Sequence, residues 1–463
     1  MSFNHVGLTS HDHACGRKVP RLAANTSGVS RKDFLRGLGA AGAGGLIVGG
    51  AGGYFGGKAS SSSSSGNAQV TSSNKEPIVI GSGSPLTGAY AGDGIMQLRG
   101  QQLAVAELNA KGGVLGRQLV ISKLDTQAQQ PDVMKNVFQK FVSQKVSAMF
   151  CGFCTYSSVE FPIVAQAGIP TFHVNTWHGN VDFVKQHGIT NIFQGDPSET
   201  WYGPGFVVTL QNLISTKRWV PSSKTMAIVT SNDPYSLNIA KSFESGMQKI
   251  GWKTTLFSQF TVPQADWTAT LVKIRGNPPG IVFFSDYAAG DEASFVKQFR
   301  QSPTQSLVYQ QYAPSIPQYL NLAGSAADGV LWSTVVGILQ DDPVSAPFQS
   351  AFQAKFNAQP GFSNAGDQYD LVKLWAQAVE VVGDPNDFKS VNEVVKGTTY
   401  RGVCGTYRFP DDYLTCYPYP DYTKDPSLGM PHLTFQIQNG KQVLVSPEPY
   451  TTGSYQRPPW LHH

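Results

Sequence analysis

From Pro77 onward the chain alternates short apolar runs with amphipathic ones. "IVIGSGSPL" reads as a buried strand running into a Gly/Ser/Pro loop. "IMQLRGQQLAVAELNAKGG" then sets Leu98, Ala104, Val105 and Leu108 on one helical face, and Asn109, Gly112 and Gly113 end that helix. "QLVISKLD" is a second strand. "PDVMKNVFQKFVSQ" places Val133, Val137, Phe138 and Phe141 on one face of a second helix, with Pro131 at its start. "VSAMFCG" and "IPTFHV" follow as strands. After a connection around "FQGDPSE" the pattern restarts, with strands "TMAIVT", "TTLFSQF", "IVFFSD" and "LVYQQY" separated by helices. Alternation of this length predicts parallel βαβ units, so the fold class is α/β with two sheets in succession. The helices "APFQSAFQAKFNAQ" and "DQYDLVKLWAQAVEVV" come later and need a sheet to cover. "LTFQIQNGKQVLV" carries the hairpin dipeptide Asn439-Gly440.

One loop stands out. "CGFCTYSS", residues 151–158, follows a strand's carboxyl end and is expected to open the next helix, with Thr155, Ser157 and Ser158 as candidate caps. In open α/β sheets ligands sit outside strand carboxyl ends, and helix N-termini favour anions. A ligand loop of hydroxyls and backbone N–H groups is the reading carried forward. A plain structural loop and a redox or metal role for the C-x-x-C stay open. A zinc site would lack its second pair, since no further C-x-x-C or H-x-x-x-H exists. No metal and no cofactor is expected.

Length changes the picture by implying two domains: 463 residues exceed one small core. Charge changes it by excluding a class. The formal net charge is +4, yet residues 1–68 hold seven basic and two acidic residues, which leaves 28 basic and 29 acidic in the body. With no basic run interleaved with aromatics, nucleic acid is not an expected partner.

The basic excess belongs to the N-terminus. Residues 1–58 read as a signal peptide: a basic stretch, then Gly37–Gly57 without charge, eleven of whose 21 residues are Gly. Ser30-Arg31-Lys32-Asp33-Phe34-Leu35 resembles the twin-arginine export motif, with Lys32 where a second arginine is expected, so the general secretory route and an uncleaved tether stay open. No cysteine follows the apolar stretch, which argues against a lipoprotein anchor. Residues 59–76 read as a Ser-rich linker. An exported chain lies in the periplasm or on the extracellular face of the membrane, where disulfides form. Cys404 and Cys416, which close a short loop, are therefore the disulfide candidates.

The residues also carry a resemblance. "IVIGSGSPLTGAYAGDGIMQLRGQQLAVAELNAKGGVLGRQLVISKLDTQ" resembles the opening of the Leu/Ile/Val-binding-like solute receptors of ABC importers, with their "PLTG" loop, the "GD" before the first helix and the "N-x-x-GG-x-x-G" turn. A "GIP" precedes the fourth strand. The likeness runs from about Pro77 to Val445. It implies the type I periplasmic binding fold: two Rossmann-like lobes joined by three crossovers, with a ligand cleft between them. Lobe one would take 77–195 and 333–402, and lobe two 196–332 and 403–463, with crossings near Gly195, Ser333 and Gly402.

The resemblance also implies the site. Tyr90 follows the first strand, Cys154 or Thr155 the third, and Asn175, Thr176 and Trp177 the fourth. Tyr235, Tyr287 and Tyr312 occupy the matching positions of lobe two. Amino-acid receptors of the family place an acid where this chain has Tyr312, so Asp286 becomes the candidate partner for a ligand ammonium. The implied function is the solute-binding component of an ABC importer, a monomer working with membrane permease and ATPase subunits, binding an amino acid of branched-chain type or a related small polar solute. An amide, urea-like or aromatic-acid receptor and a ligand sensor are the alternatives. No catalytic role is expected: His173, His178 and His187 lie close in sequence without a partnered nucleophile. No transmembrane stretch follows Val445, as a sensor would need. The tail "EPYTTGSYQRPPWLHH" has no functional reading from sequence.

Overall fold

A computed structural model describes residues 75–88 and 90–462. The expected signal peptide and nearly all of the Ser-rich linker lie outside these residues. Five parallel strands, β1 (Ile78–Ser84), β2 (Leu119–Asp125), β3 (Ala148–Cys151), β4 (Thr171–His173) and β5 (Ile192–Gln194), form the first sheet in the order β2-β1-β3-β4-β5. The second sheet contains β6 (Thr225–Ser231), β7 (Lys253–Phe260), β8 (Ile281–Asp286), β9 (Leu307–Tyr312) and β10 (Leu331–Thr334), ordered β10-β9-β8-β6-β7. The hairpin Leu433–Gln438/Lys441–Ser446 extends it, antiparallel to β10. The inner strands of both sheets, such as β8 and β9, are buried on both faces, which is why they read as apolar runs without alternation, while the edge strands β2 and β7 are partly exposed. The short strand β5, the helix His178–Gln186 before it and the helix Tyr202–Ser215 after it were not resolved by the sequence pattern.

Two separate hydrophobic cores correspond to the two sheets. The late helices do return to the first one. Gly100 of the helix Ala91–Ala110 lies so close to Asn364–Val382 that a Cβ there would stand 2.1 Å from the Ala365 carbonyl oxygen. Gln101 Nε2 donates to Gln368 Oε1 at 2.8 Å, and Gln368 Nε2 to the Cys151 carbonyl at 2.8 Å, tying that helix pair to the end of β3.

Two expectations are corrected. Residues 403–430 were placed in lobe two, yet Val403, Cys404, Tyr407, Phe409, Leu414, Cys416 and Met430 all pack in the first core. The reason is a buried anchor. The Asp370 carboxylate accepts the backbone N–H groups of Val403 at 2.9 Å and Cys404 at 3.0 Å, and the Tyr407 hydroxyl at 2.9 Å. Farther on, Gln194 of β5 takes Leu414 and Thr415 alongside it, through its N–H to the Leu414 carbonyl and its side chain to Thr415 Oγ1. The chain passes to the second core only between Met430 and Leu433. The disulfide expectation fails for a related reason: Cys404 and Cys416 are both free, buried thiols. Asp370 fixes the backbone of one, and Gln194, whose carbonyl accepts the Cys416 N–H at 3.3 Å, fixes the other.

The C-terminal tail closes the base of the second lobe. Trp460 is buried, its Nε1 donates to the Ser306 carbonyl at 2.8 Å, and the Arg300 guanidinium stacks 4.9 Å over its ring. The tail's aromatic and proline content is thereby accounted for by packing.

Candidate functional site

The loops at the carboxyl ends of β1, β3 and β4 face those of β6, β8 and β9 across the gap between the lobes. Tyr90 stands at the N-cap position of the helix Ala91–Ala110, its ring edge-on to Phe153 with centroids 6.1 Å apart. Trp177 precedes the helix His178–Gln186 and meets Tyr156 edge-on at 5.1 Å. Tyr156 is 54% exposed, a large aromatic left open at the rim. The Asp233 and Asp286 carboxylates of lobe two and the Tyr90 hydroxyl of lobe one all act on the Tyr287 hydroxyl of lobe two, while Asp233 also acts on Tyr90 and Tyr156. Tyr90, Tyr156 and Tyr287 thus share one electrostatic environment. Burial, then the neighbouring acids and phenols, holds Tyr90 and Tyr287 above their ordinary range, Tyr287 at about 12.

The "CGFCTYSS" loop is built differently from its expected form. The helix after it begins only at Phe161, and neither Thr155, Ser157 nor Ser158 caps it. Instead the buried Glu160 carboxylate turns back and accepts the Thr155 N–H at 2.7 Å and its hydroxyl at 2.7 Å. Asn180 Nδ2 donates to the Thr155 carbonyl at 2.9 Å and to Ser158 Oγ at 2.7 Å. Asn175 Nδ2 is engaged by the Cys154 carbonyl at 3.0 Å and by Asn180 Oδ1 at 2.8 Å. The polar groups of Thr155 and Asn175 therefore hold the loop's own shape, and the Thr176 carbonyl accepts the Glu199 N–H at 2.8 Å. Cys154 is buried, and burial with the Cys151 thiol beside it keeps its sulfur protonated. A protonated thiol is a poor nucleophile and a poor metal ligand, so burial of Cys154 disfavours the redox reading.

Among the links that cross between the lobes, two lie beside the facing loops, and neither was evident in the sequence. The Tyr312 hydroxyl at the end of β9 donates to Asp93 Oδ2 of lobe one at 3.0 Å. Asn364 Nδ2 braces Asp93 Oδ1 at 3.0 Å, and Gln97 Nε2 holds Asn364 Oδ1 at 3.0 Å. Tyr312 has φ +68° and ψ −55°, a strained backbone for a residue with a Cβ. The second link is Glu199, buried in the connection between the lobes. Its carboxylate accepts the His178 N–H at 2.6 Å from lobe one and Asn238 Nδ2 at 3.0 Å from lobe two. Burial pushes its pKa up to about 7. Asp93, Phe153, Tyr156, Asn364 and Glu199 join the candidate site although the sequence reading passed over them. Tyr156 sits inside the stretch already singled out, and Asp93 is the acid of the "GD" pair.

Tyr312→Phe removes the first link without changing shape. It is expected to shift the equilibrium toward the open form by about 1–2 kcal/mol. Small-angle scattering of the solute-free protein would show this as a larger radius of gyration; an unchanged radius would mean that the bond holds nothing together.

The geometry agrees with known proteins. The model of the family described as periplasmic binding protein matches residues 77–413. A crystal structure from Silicibacter pomeroyi, described as a branched-chain amino acid ABC transporter, is 34% identical, with a TM-score of 0.80 over 83% of this chain and 100% of that one. Among curated relatives, Leu/Ile/Val-binding protein homolog 2 of Brucella abortus is 24% identical over 380 residues, covering 79% of this chain and 91% of its own. The leucine-, isoleucine-, valine-, threonine- and alanine-binding protein of Pseudomonas aeruginosa is 23% identical over 337 residues, covering 73% and 86%. Two α/β lobes, facing loop ends and these similarities converge: the chain belongs to the periplasmic binding protein family, as a solute-binding protein of the Leu/Ile/Val-binding type and not an enzyme.

Proposed function

We propose that the protein is the extracytoplasmic solute receptor of an ABC importer, taking up an amino acid or a closely related small polar solute by closing its lobes and presenting it to permease and ATPase subunits. The observation that carries this reading is the pairing of Tyr312 with Asp93 across the gap, beside the lobe-one aromatic pairs Tyr90–Phe153 and Tyr156–Trp177. Closure of this kind is a hinge motion about a few connecting residues, and the differential contacts made in the closed form give the solute its affinity. The lobe-one contacts are Tyr90, Thr176 and Trp177; those of lobe two are Tyr235, Asp286, Tyr287 and Tyr312. Cys154, Thr155 and Asn175 shape the loop that backs them. Among the described residues no helix is long and apolar enough to cross a membrane. The receptor would work as a monomer in the periplasm or on the outer face of the cell membrane.

Intrinsic tryptophan fluorescence is a direct test, because Trp177 is one of the proposed lobe-one contacts. Titration with a panel of amino acids and their amides is expected to give saturable binding, with compaction in scattering and quantitative recovery of the unaltered solute. Conversion of the bound solute to another compound would rule the reading out.

A further inference from the structure

Glu199 stands where the first crossing between the lobes meets the loop after β4. Its N–H donates to the Thr176 carbonyl at 2.8 Å, and its Oε2 accepts the His178 N–H at 2.6 Å. The two bonds bracket Trp177. The indole lies tight against the backbone just beyond it, since a Cβ on Gly179 would stand 2.3 Å from Trp177 Nε1. The other carboxylate oxygen, Oε1, accepts Asn238 Nδ2 at 3.0 Å, one turn into the lobe-two helix Pro234–Lys249. Tyr235 stands in the first turn of that helix, so one buried carboxyl joins the Trp177 loop to the helix that carries Tyr235.

The site offers this carboxyl no cation. The groups acting most strongly on it are the Asn238 amide, the N–H of His178, its own N–H and the Asp182 carboxylate, with no lysine, arginine or histidine side chain among them. The titratable groups facing it are Asp196 of the same connection, Asp182 of the helix His178–Gln186, Tyr156 of the 151–158 loop and Tyr235 of lobe two. The His178 ring is set toward Asp182, Nε2 3.5 Å from Oδ1, and Tyr417 and Tyr422 meet the neighbouring Trp201 edge-on. A charge buried among acids and phenols is costly, and a neutral carboxyl is not. Neutral Glu199 keeps both links: its carbonyl oxygen accepts the His178 N–H, and its O–H donates to Asn238 Oδ1 once that amide turns over. When the lobes part, the carboxyl cannot span His178 and Asn238, and water that reaches it favours the charged form.

We propose that Glu199 is a positioning residue for solute capture, a clasp that fastens the Trp177 loop to lobe two when it holds a proton and lets the lobes part when it loses one. This rests on the receptor reading above and deepens it, because capture and release then depend on pH. The closed form, in which burial pushes Glu199 up to about 7, binds the proton, while the open form, with the carboxyl near its ordinary value of about 4, does not. Closure is therefore favoured below about 7 and weakened as pH rises through that value.

Small-angle scattering of the solute-free protein tests the clasp without any ligand. The parent is expected to have a larger radius of gyration at pH 8 than at pH 5.5, and Glu199→Gln, uncharged and able to make both links, to stay compact at both. Fluorescence titration with leucine as the probe gives a second reading. The parent should bind about tenfold more weakly at pH 8 than at pH 5.5, and Glu199→Gln at pH 8 should match the parent at pH 5.5. A merely structural role would instead weaken the variant at both pH values and would overturn the proposal. So would a parent radius independent of pH, or a Glu199→Gln radius that still grows at pH 8. Should Glu199→Gln fail to fold, Asn238→Ala cuts the same link at its lobe-two end. It is expected to be as expanded at pH 5.5 as the parent is at pH 8, and compaction retained at pH 5.5 would overturn the clasp. No leucine binding, with a radius that responds as expected, would count against the receptor reading and leave the clasp standing.

Discussion

Asp370→Ala should lower the free energy of unfolding by about 3–5 kcal/mol. The carboxylate is fully buried and accepts three donors, the N–H groups of Val403 and Cys404 and the hydroxyl of Tyr407. Each donor stranded out of water costs about 1–3 kcal/mol, and an alanine also leaves a cavity. The segment has little freedom to adjust, because a Cβ on Gly402 would already lie 2.3 Å from the Asp370 carboxyl carbon. Asp370→Asn keeps an acceptor and nearly the same volume, so it should cost markedly less. Denaturant unfolding of the two variants beside the parent measures both values. A loss below about 1 kcal/mol for the alanine variant would show that residues 403–416 are held by apolar packing alone. A large loss would confirm that one side chain of a lobe-one helix decides to which lobe this segment belongs.

The second large effect is a loss of stability as pH rises. Burial pushes Glu199, Asp286 and Asp370 each up to about 7, and it raises Asp93, Glu160, Asp196, Glu292 and Asp367 as well. In the unfolded chain these groups ionise near pH 4. Between about 4 and 7 the folded state therefore holds more protons than the unfolded one, and stability falls as pH rises through that window. From pH 5 to pH 8 each of the three groups near 7 contributes a loss on the order of 2–3 kcal/mol. His173 opposes them. Buried, with its pKa lowered to about 3, it must remain neutral, and its stability contribution is lost as pH falls below about 6.5, roughly 2 kcal/mol by pH 5. Several carboxyls outweigh one imidazole. The melting temperature is expected to be higher at pH 5 than at pH 8 by at least about 5 °C at constant ionic strength. Calorimetry showing it higher at pH 8 would mean that solvent or bound ions reach these carboxylates in the folded protein.

The same carboxylates separate what was legible in the chain from what was not. Strands such as "IVFFSD" and "LVYQQY" are buried on both faces, and their apolar runs and flanking helices can be read within a dozen residues. Two α/β lobes followed from that pattern, and the family motifs near the first strand pointed to the cleft. The proposed solute contacts were also named from loops: Tyr90, Trp177, Tyr235, Tyr287 and Tyr312 lie at or just beyond strand ends, where such folds bind ligands. Short elements escaped because three residues, as in Ile192–Gln194, carry too little periodicity to register.

Partnership was decided by tertiary structure alone. Tyr312 and Asp93 are 219 positions apart, and Asp370 stands 33 positions from Val403, so no local pattern links them. Thr155 looked like a ligand-facing cap until Glu160 folded back onto it, and the short spacing of Cys404 and Cys416 hid the anchors that hold them separately. Hydrophobic period is a property of neighbouring residues and survives in the sequence by itself. A hydrogen bond between distant side chains depends on where two elements come to rest, and only packing fixes that. The sequence of this protein therefore determined its lobes and the loops that face each other, while the folded chain determined which polar groups are spent on its own architecture, as Glu160 is on Thr155 and Asp370 on Val403 and Cys404.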